Sequence, residues 1–352
     1  MTRLKIGLLA PVAHRTPPDG YGPWELVVAN LAEGLIELGH DVVVFATADS
    51  RPAGTLSAVV PGPLSRRADL PARPYELMHI GHALQEADAR GLDILHNHFN
   101  YLPLPFAALT RTPLITTLHG AALLEADSRT AFRHFARLPY VSISYAERAG
   151  APELHYVANV YNGIRFKDFT PTERPGEPLV FLGRVGAAKG TDIAVEVARR
   201  AGRKLIIAGP VPEVERDFFE ARIRPQIDGR TVEYVGEVGP RERDRLLGDA
   251  CALLHLIRAP EPFGLVMVEA QACGTPVIGF RRGSVPEIVE DGVTGFVVET
   301  ADEAVIAVER AARLDRRTIR ARAEARFSYR TMAEGYVAAY RAVLDNPALW
   351  PK

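Results

Sequence analysis

Apolar positions along this chain alternate between two periods, and the alternation predicts its architecture. Leu4 to Ala10 is a short run without a polar gap, the pattern of a strand buried on both faces. After a Gly/Pro-rich loop, Leu26, Val27, Asn30, Leu31, Gly34, Leu35 and Leu38 keep helical spacing, and Gly39 ends the run. Asp41 to Thr47 returns to an apolar, β-branched strand. Further strands are expected at Asp93–His96, Pro113–Leu118, Tyr140–Ser144 and His155–Val160. Asn162-Gly163 signals a turn, and Thr170 to Pro178 has the composition of a linker.

A second alternation then begins. Strands are expected at Leu179–Leu182, Lys204–Ala208, Val232–Val235, Ala252–Leu256, Pro276–Phe280 and Gly295–Val298. Helices fit Gly190–Ala201, Glu213–Ile227, Pro240–Leu247 and Leu265–Ala272, and from about Ala301 the pattern is helical. Short apolar strands between helices mean parallel sheets covered on both faces. The expected fold is α/β with two doubly wound, Rossmann-like domains, residues 1–165 and 166–330. Residues 331–352 would form a helix packing back on the first domain. Ligands of such proteins sit in a cleft at the carboxyl ends of the strands.

The length of 352 residues agrees with two cores, and 47% hydrophobic with 24% charged residues excludes a disordered chain. A net charge of −1 gives no field for nucleic acid. Cys251 and Cys273 form neither a metal spacing nor a disulfide framework, which fits a reducing cytoplasm. The opening MTRLKIGLLAPVAH resembles a signal peptide only superficially, and no apolar run approaches the ~18–20 residues of a membrane span.

Four segments carry candidate chemistry. The richest, RAPEPFGLVMVEAQACGTPVIG from Arg258 to Gly279, places Glu261 and Glu269 around a Pro-Phe-Gly turn into a helix. The helix start offers unpaired N–H groups to phosphate, and carboxylates accept hydrogen bonds from hydroxyls. Two solvated glutamates on an amphipathic helix are the plainer alternative. Phe181-Leu182-Gly183-Arg184, with Lys189-Gly190 five residues on, ends a strand in two cations able to neutralise a departing diphosphate without a metal. Gly20-Tyr21-Gly22 lies between the first strand and first helix, where backbone approaches phosphate, although the GxGxxG fingerprint is absent.

His119 closes the strand Thr116-Thr117-Leu118-His119 and is placed to bond a substrate hydroxyl. His96 and His98 end another strand. At i and i+2 they are expected on opposite faces, which argues against a shared metal. Arg316, Arg317, Arg320, Arg322, Arg326 and Arg330 form a basic run, read as a solvated helix face because Asp315 and Glu324 interleave it.

With these segments in order, the chain resembles retaining glycosyltransferases of the GT-B fold, in the family 4 (group 1) type. The resemblance rests on Gly20-Tyr21-Gly22, Leu118-His119-Gly120, Asn162-Gly163-Ile164, Gly183-Arg184 with Lys189-Gly190, and Glu261 with Glu269 in a Glu-x7-Glu pattern. It implies that Arg184 and Lys189 bind the diphosphate of a nucleotide-sugar donor, UDP- or GDP-linked. Glu261 would contact the sugar, backbone N–H groups of Phe263, Gly264 and Leu265 the sugar and phosphate, and Glu269 the ribose. Gly20, Gly22 and Gly183 would flank the diphosphate, His119 the reacting carbon, and main chain around Val238 the base.

Tyr21, His98 and Tyr101 are the acceptor-side candidates, for a small-molecule, saccharide or lipid-linked acceptor. No metal or other cofactor is expected, and the protein would be cytoplasmic or peripheral at a membrane. Arg165 stands where the family has Asp after Asn-Gly-Ile, and Ala188 where an acid often precedes the lysine. An epimerase on the same fold and a non-catalytic nucleotide-sugar sensor are the nearest rivals. A nicotinamide dehydrogenase is disfavoured by the missing fingerprint.

Overall fold

The computed structural model describes residues 2–20, 22–120, 126–174 and 176–350. It divides into two compact units, one of Met1–Ile164 with Phe327–Lys352 and one of Arg165–Arg326. Tyr21, one of the acceptor-side candidates, lies outside the described residues.

The first unit holds a seven-stranded sheet in the order β3-β2-β1-β4-β5-β6-β7. Its strands are β1 (Lys5–Leu9), β2 (Asp41–Thr47), β3 (Thr55–Val60), β4 (Ile94–Asn97), β5 (Leu114–Thr117), β6 (Tyr140–Ser142) and β7 (Tyr156–Asn159). The second unit holds six in the order β10-β9-β8-β11-β12-β13. These are β8 (Leu179–Leu182), β9 (Leu205–Ala208), β10 (Val232–Gly236), β11 (Ala252–His255), β12 (Val277–Phe280) and β13 (Gly295–Val298). Every pairing among the named strands is parallel. The doubly wound α/β expectation is met in both units, because strands such as Ile6–Leu9 and Leu253–Leu254 are buried on both faces.

The helices are α1 (Pro23–Glu37), α2 (Ala72–Arg90), α3 (Ala126–His134), α4 (Thr191–Arg200), α5 (Pro240–Gly248), α6 (Leu265–Ala272), α7 (Val285–Ile288), α8 (Ala301–Ala311), α9 (Arg316–Phe327) and α10 (Tyr329–Asp345), besides short helical turns. The C-terminal α10 does pack against α1 of the first sheet. Gly34 makes the close approach possible, since a Cβ there would lie 2.7 Å from Ala333 Cβ and 2.8 Å from the Tyr329 carbonyl oxygen.

Strand order reverses between β1 and β4 in one unit and between β8 and β11 in the other. At such a switch point the loops leaving neighbouring strands diverge and open a crevice at the carboxyl ends. Most of the candidate residues sit on those loops.

Two expectations are corrected and one strand is added. Glu213–Ile227 is not one helix but a series of short turns from Glu213 to Gln226. The turns change type without a break, and Pro225, which lacks the N–H and crowds the residue before it, accounts for the end of the run in a single tight turn, Arg224–Gln226. The strand β3 went unread, because its half-exposed edge position supplies no continuous apolar run. The arginine run is not simply a solvated face. Arg316 is buried and donates to the carbonyl oxygens of Thr172 (2.6 Å), Gly248 (2.9 Å) and Ala250 (2.9 Å), and to Thr275 Oγ1. Arg320 likewise reaches the carbonyls of Phe166 (2.9 Å), Phe169 (3.1 Å) and Ala272. Fixed forks of N–H donors let arginine tie off loop carbonyls that a helix-face pattern does not reveal.

Candidate functional site

In the second unit, Gly183 and Arg184 follow β8 and Lys189 precedes α4. The loop between them is folded onto β11: the Arg258 N–H donates to the Ala188 carbonyl (2.9 Å), and the Arg258 guanidinium meets Asp192 in a bidentate pair (2.7 and 2.8 Å). This brings Lys189 to the segment after β11, where its Nζ lies 2.7 Å from Glu261 Oε2. Arg184 is exposed and has no side-chain partner among the described residues. The structure thus joins Lys189 to Glu261 and leaves the Arg184 charge uncommitted.

Glu261 is buried, and burial alone would raise its pKa. The contact with His255, whose Nε2 comes within 3.3 Å of Oε2, and the Lys189 charge outweigh that and hold it at about 2. The carboxylate is therefore ionised at any physiological pH. Its backbone is clamped from behind: Ser284 N–H donates to the Glu261 carbonyl (2.8 Å), and Ser284 Oγ to the Phe263 carbonyl (2.9 Å). Gly283, at φ 56°, lies so close that a Cβ would stand 2.3 Å from both N and O of Glu261.

Gly264 caps α6 in the left-handed region at φ 78° without a side-chain cap. The Met267 N–H turns back to the Gly264 carbonyl (2.9 Å), which leaves the N–H groups of Leu265 and Val266 at the helix start without an intrahelical acceptor. Eight residues on from Glu261, Glu269 is buried on α6 and meets Arg243 of α5 at 3.0 Å. Burial raises its pKa, with Arg243 opposing. The two glutamates are thus not a solvated pair. Each is buried against its own cation. Val238 follows β10, an edge strand, with Gly236 at that strand's end.

In the first unit, Gly20 has open space around it, and Gly22 caps α1 with Pro18 so close that a Cβ would lie 2.8 Å from Pro18 Cβ. Glu25, on the first turn of α1, is buried and accepts from the His14 N–H (3.1 Å). Burial raises its pKa. His119 leaves β5 in the left-handed region at φ 51°, an uncommon conformation for a residue with a Cβ. Two neighbours hold the turn: Glu147 accepts from the Gly120 and Ile143 N–H groups, and Trp24 stacks on the imidazole at 5.5 Å between ring centres.

His96 and His98 do not face opposite sides. Their ring centres are 3.8 Å apart, and His98 Nδ1 lies 2.8 Å from His119 Nε2. Strand side chains alternate with period two, so i and i+2 share a face. Among the described residues no cluster of histidine, cysteine and carboxylate groups forms a metal site. Tyr101 is half-buried at a tight turn where its N–H donates to Asn100 Oδ1 (2.7 Å).

Four functional candidates escaped the sequence. His255 ends a strand, the same signal that marks His119, and was there to be read. Arg243, Glu147 and Glu25 reach their places only through tertiary packing. No helix among the described residues is long and apolar enough to cross a membrane.

The chain that carries these two cations, the helix start and the buried carboxylates is similar to known proteins. Residues 165–326 match the model for glycosyl transferases group 1, and residues 25–158 that for glycosyltransferase family 4. A D-inositol 3-phosphate glycosyltransferase from Nocardia farcinica is 29% identical, the match covering 95% of this chain and 88% of that one. A crystal structure of a glycosyltransferase involved in avilamycin A biosynthesis superposes with a TM-score of 0.74 at 28% identity, over 97% of this chain and 98% of the other. At 20% identity, HepE of Anabaena, solved in complex with UDP-glucose, shares the fold with a TM-score of 0.70 over 96% of this chain and 99% of its own.

Proposed function

The chain belongs to the group 1, family 4 glycosyltransferases of the GT-B fold, which move a sugar from a nucleotide sugar to an acceptor, and on that premise we propose a retaining hexosyltransferase that needs no metal. The donor is a UDP- or GDP-hexose and the acceptor a hydroxyl group.

The observation that carries this reading is the Lys189–Glu261 pair beside the Gly264 helix start, with Arg184 free among the described residues. A glycosyl transition state builds positive charge on the sugar and negative charge on the leaving diphosphate. Lys189, held by Glu261, and the Leu265 and Val266 N–H groups at the start of α6 are donors placed before the reaction begins, and Arg184 adds an uncommitted charge beside them. Each such donor is typically worth a few kcal/mol to the departing charge. Glu261, permanently ionised, accepts hydrogen bonds from sugar hydroxyls and offers negative charge to the oxocarbenium-like sugar. Glu269 takes the ribose hydroxyls in exchange for Arg243, and backbone near Val238 takes the base. In unit 1, His119 is the group assigned to a sugar hydroxyl, with Gly20 and Gly22 at the diphosphate and His98 and Tyr101 on the acceptor side. The leaving phosphate accepts the acceptor's proton on the face it vacates, which gives retention without a dedicated base.

Titration with UDP, GDP, ADP and NAD, with and without chelator, tests the donor assignment. UDP comes first because the Anabaena relative holds UDP-glucose. Tight binding of one nucleoside diphosphate that ignores the chelator is expected, followed by a product keeping the donor's anomeric configuration. Preference for NAD, chelator-sensitive binding or an inverted product overturns the reading.

A further inference from the structure

Two tyrosines, a threonine and three histidines form one hydrogen-bonded run inside the first unit, all of them buried. Tyr336 OH lies 2.9 Å from Thr117 Oγ1, which lies 2.8 Å from His96 Nε2. His96 Nδ1 is 2.7 Å from Tyr340 OH and 3.1 Å from His98 Nε2, and His98 Nδ1 is 2.8 Å from His119 Nε2. Both tyrosines come from α10, and His119 ends the run.

The direction of the protons follows from satisfying each group. A buried hydroxyl proton needs an acceptor, and among the described residues His96 Nδ1 is the one partner of the Tyr340 hydroxyl. Tyr340 therefore donates, and His96 carries its own proton on Nε2, donating to Thr117. A bare His98 Nε2 would set one electron-rich nitrogen 3.1 Å from another, with nothing between them to offset the repulsion. His98 is then protonated on Nε2 and shares the His96 lone pair, which leaves its Nδ1 to accept from His119 Nε2–H. Burial supports this by keeping all three rings neutral: it lowers His96 and His98 well below the usual imidazole range and His119 to about 3.

We propose that Tyr340, acting through His96 and His98, fixes His119 as the Nε2-protonated tautomer, so that its Nδ1 presents a lone pair to a sugar hydroxyl. Tyr340 is a positioning residue. The inference rests on the assignment of His119 to a sugar hydroxyl. A hydroxyl that donates to an imidazole keeps more electron density on its oxygen, which favours a sugar becoming cationic. With the opposite tautomer the same nitrogen would donate, withdraw density and oppose that charge.

The test is long-range proton–nitrogen NMR of the full chain labelled with nitrogen-15 histidine, which reads tautomers without substrate. Expected in the wild type are Nε2-protonated rings at His96, His98 and His119. Tyr340→Phe keeps the aromatic packing and is expected to give a mixture of tautomers at His119. Tyr336→Phe, which breaks only the link beyond Thr117, leaves the wild-type pattern. Finding His119 protonated on Nδ1, or a Tyr340→Phe spectrum equal to wild type in a chain of unchanged circular dichroism, overturns the relay. With UDP-glucose as probe, UDP release by Tyr340→Phe is expected to fall roughly tenfold in kcat at unchanged KM, as for loss of one oriented hydrogen bond. An unchanged kcat with altered tautomers overturns the catalytic use of the relay. Unchanged turnover in His119→Ala instead refutes the sugar contact, while the NMR result still judges the relay.

Discussion

Lys189 and Glu261 meet at 2.7 Å from loops that leave two different strands, β8 and β11, at the point where the strand order of their sheet reverses. Neither loop is adjacent to the other in sequence, so the pair reports that the whole carboxyl edge of this sheet is in register. Removing either partner leaves the other's charge in a confined place.

The pair has a pH signature. Glu261 is held at about 2 against an ordinary 4.5, so its contribution to stability is complete above pH 4.5 and fades as pH falls toward 2. A displacement of that size corresponds to roughly 3 kcal/mol. Denaturant unfolding of wild type and Glu261→Gln is expected to differ most at neutral pH, the gap falling to about half by pH 3 and closing only toward pH 2. A gap that stays constant over that range would show that Glu261 is not held ionised by its neighbours.

Arg184 and Lys189 separate function from stability. Arg184 is exposed and unpaired among the described residues, so Arg184→Ala should leave unfolding within about 0.5 kcal/mol of wild type. Calorimetric titration with UDP should nevertheless show affinity lowered about tenfold or more, as for loss of one charge-assisted contact. Lys189→Ala should lower both. Equal behaviour of the two variants would contradict the division of roles.

Gly283→Ala tests the clamp behind the site. The new methyl meets the Glu261 backbone in a left-handed conformation, at a cost of about 1–3 kcal/mol. Displacement of Glu261 should remove most turnover at a temperature where the variant is still folded. Full activity in that state would mean that the position of Glu261 is not critical.

Arg316→Met should be among the most damaging changes far from the site. It strips partners from three carbonyls and one hydroxyl inside unit 2, for a loss of about 3 kcal/mol or more. The midpoint of chemical unfolding reads this directly, and a shift under 1 kcal/mol would refute the brace.

Much of this molecule is legible before folding because strand burial on both faces writes itself as apolar runs. Leu179–Leu182 and Gly295–Val298 are legible to the residue. Strand ends were legible too, and with them Gly183, Lys189 and His119. What stayed hidden depends on partners distant in sequence. Arg243 meets Glu269 across two helices, and Tyr340 meets His96 across 244 positions. The error over His96 and His98 was of another kind: the two-residue strand period, correctly applied, puts both rings together.

Ile164 N–H donates to the Phe327 carbonyl at 2.9 Å, so the chain leaves the first unit and returns to it at the same spot. Topologically, residues 165–326 are a cassette spliced into a host whose last helix has yet to be made. On the ribosome the cassette can close as soon as it emerges, while the host waits for α10. Until then His96 lacks Tyr340, and Gly34 of α1 lacks Ala333 and Tyr329. The second unit can thus be complete before the hydrogen-bonded run of the first exists, and that run waits on the final helix.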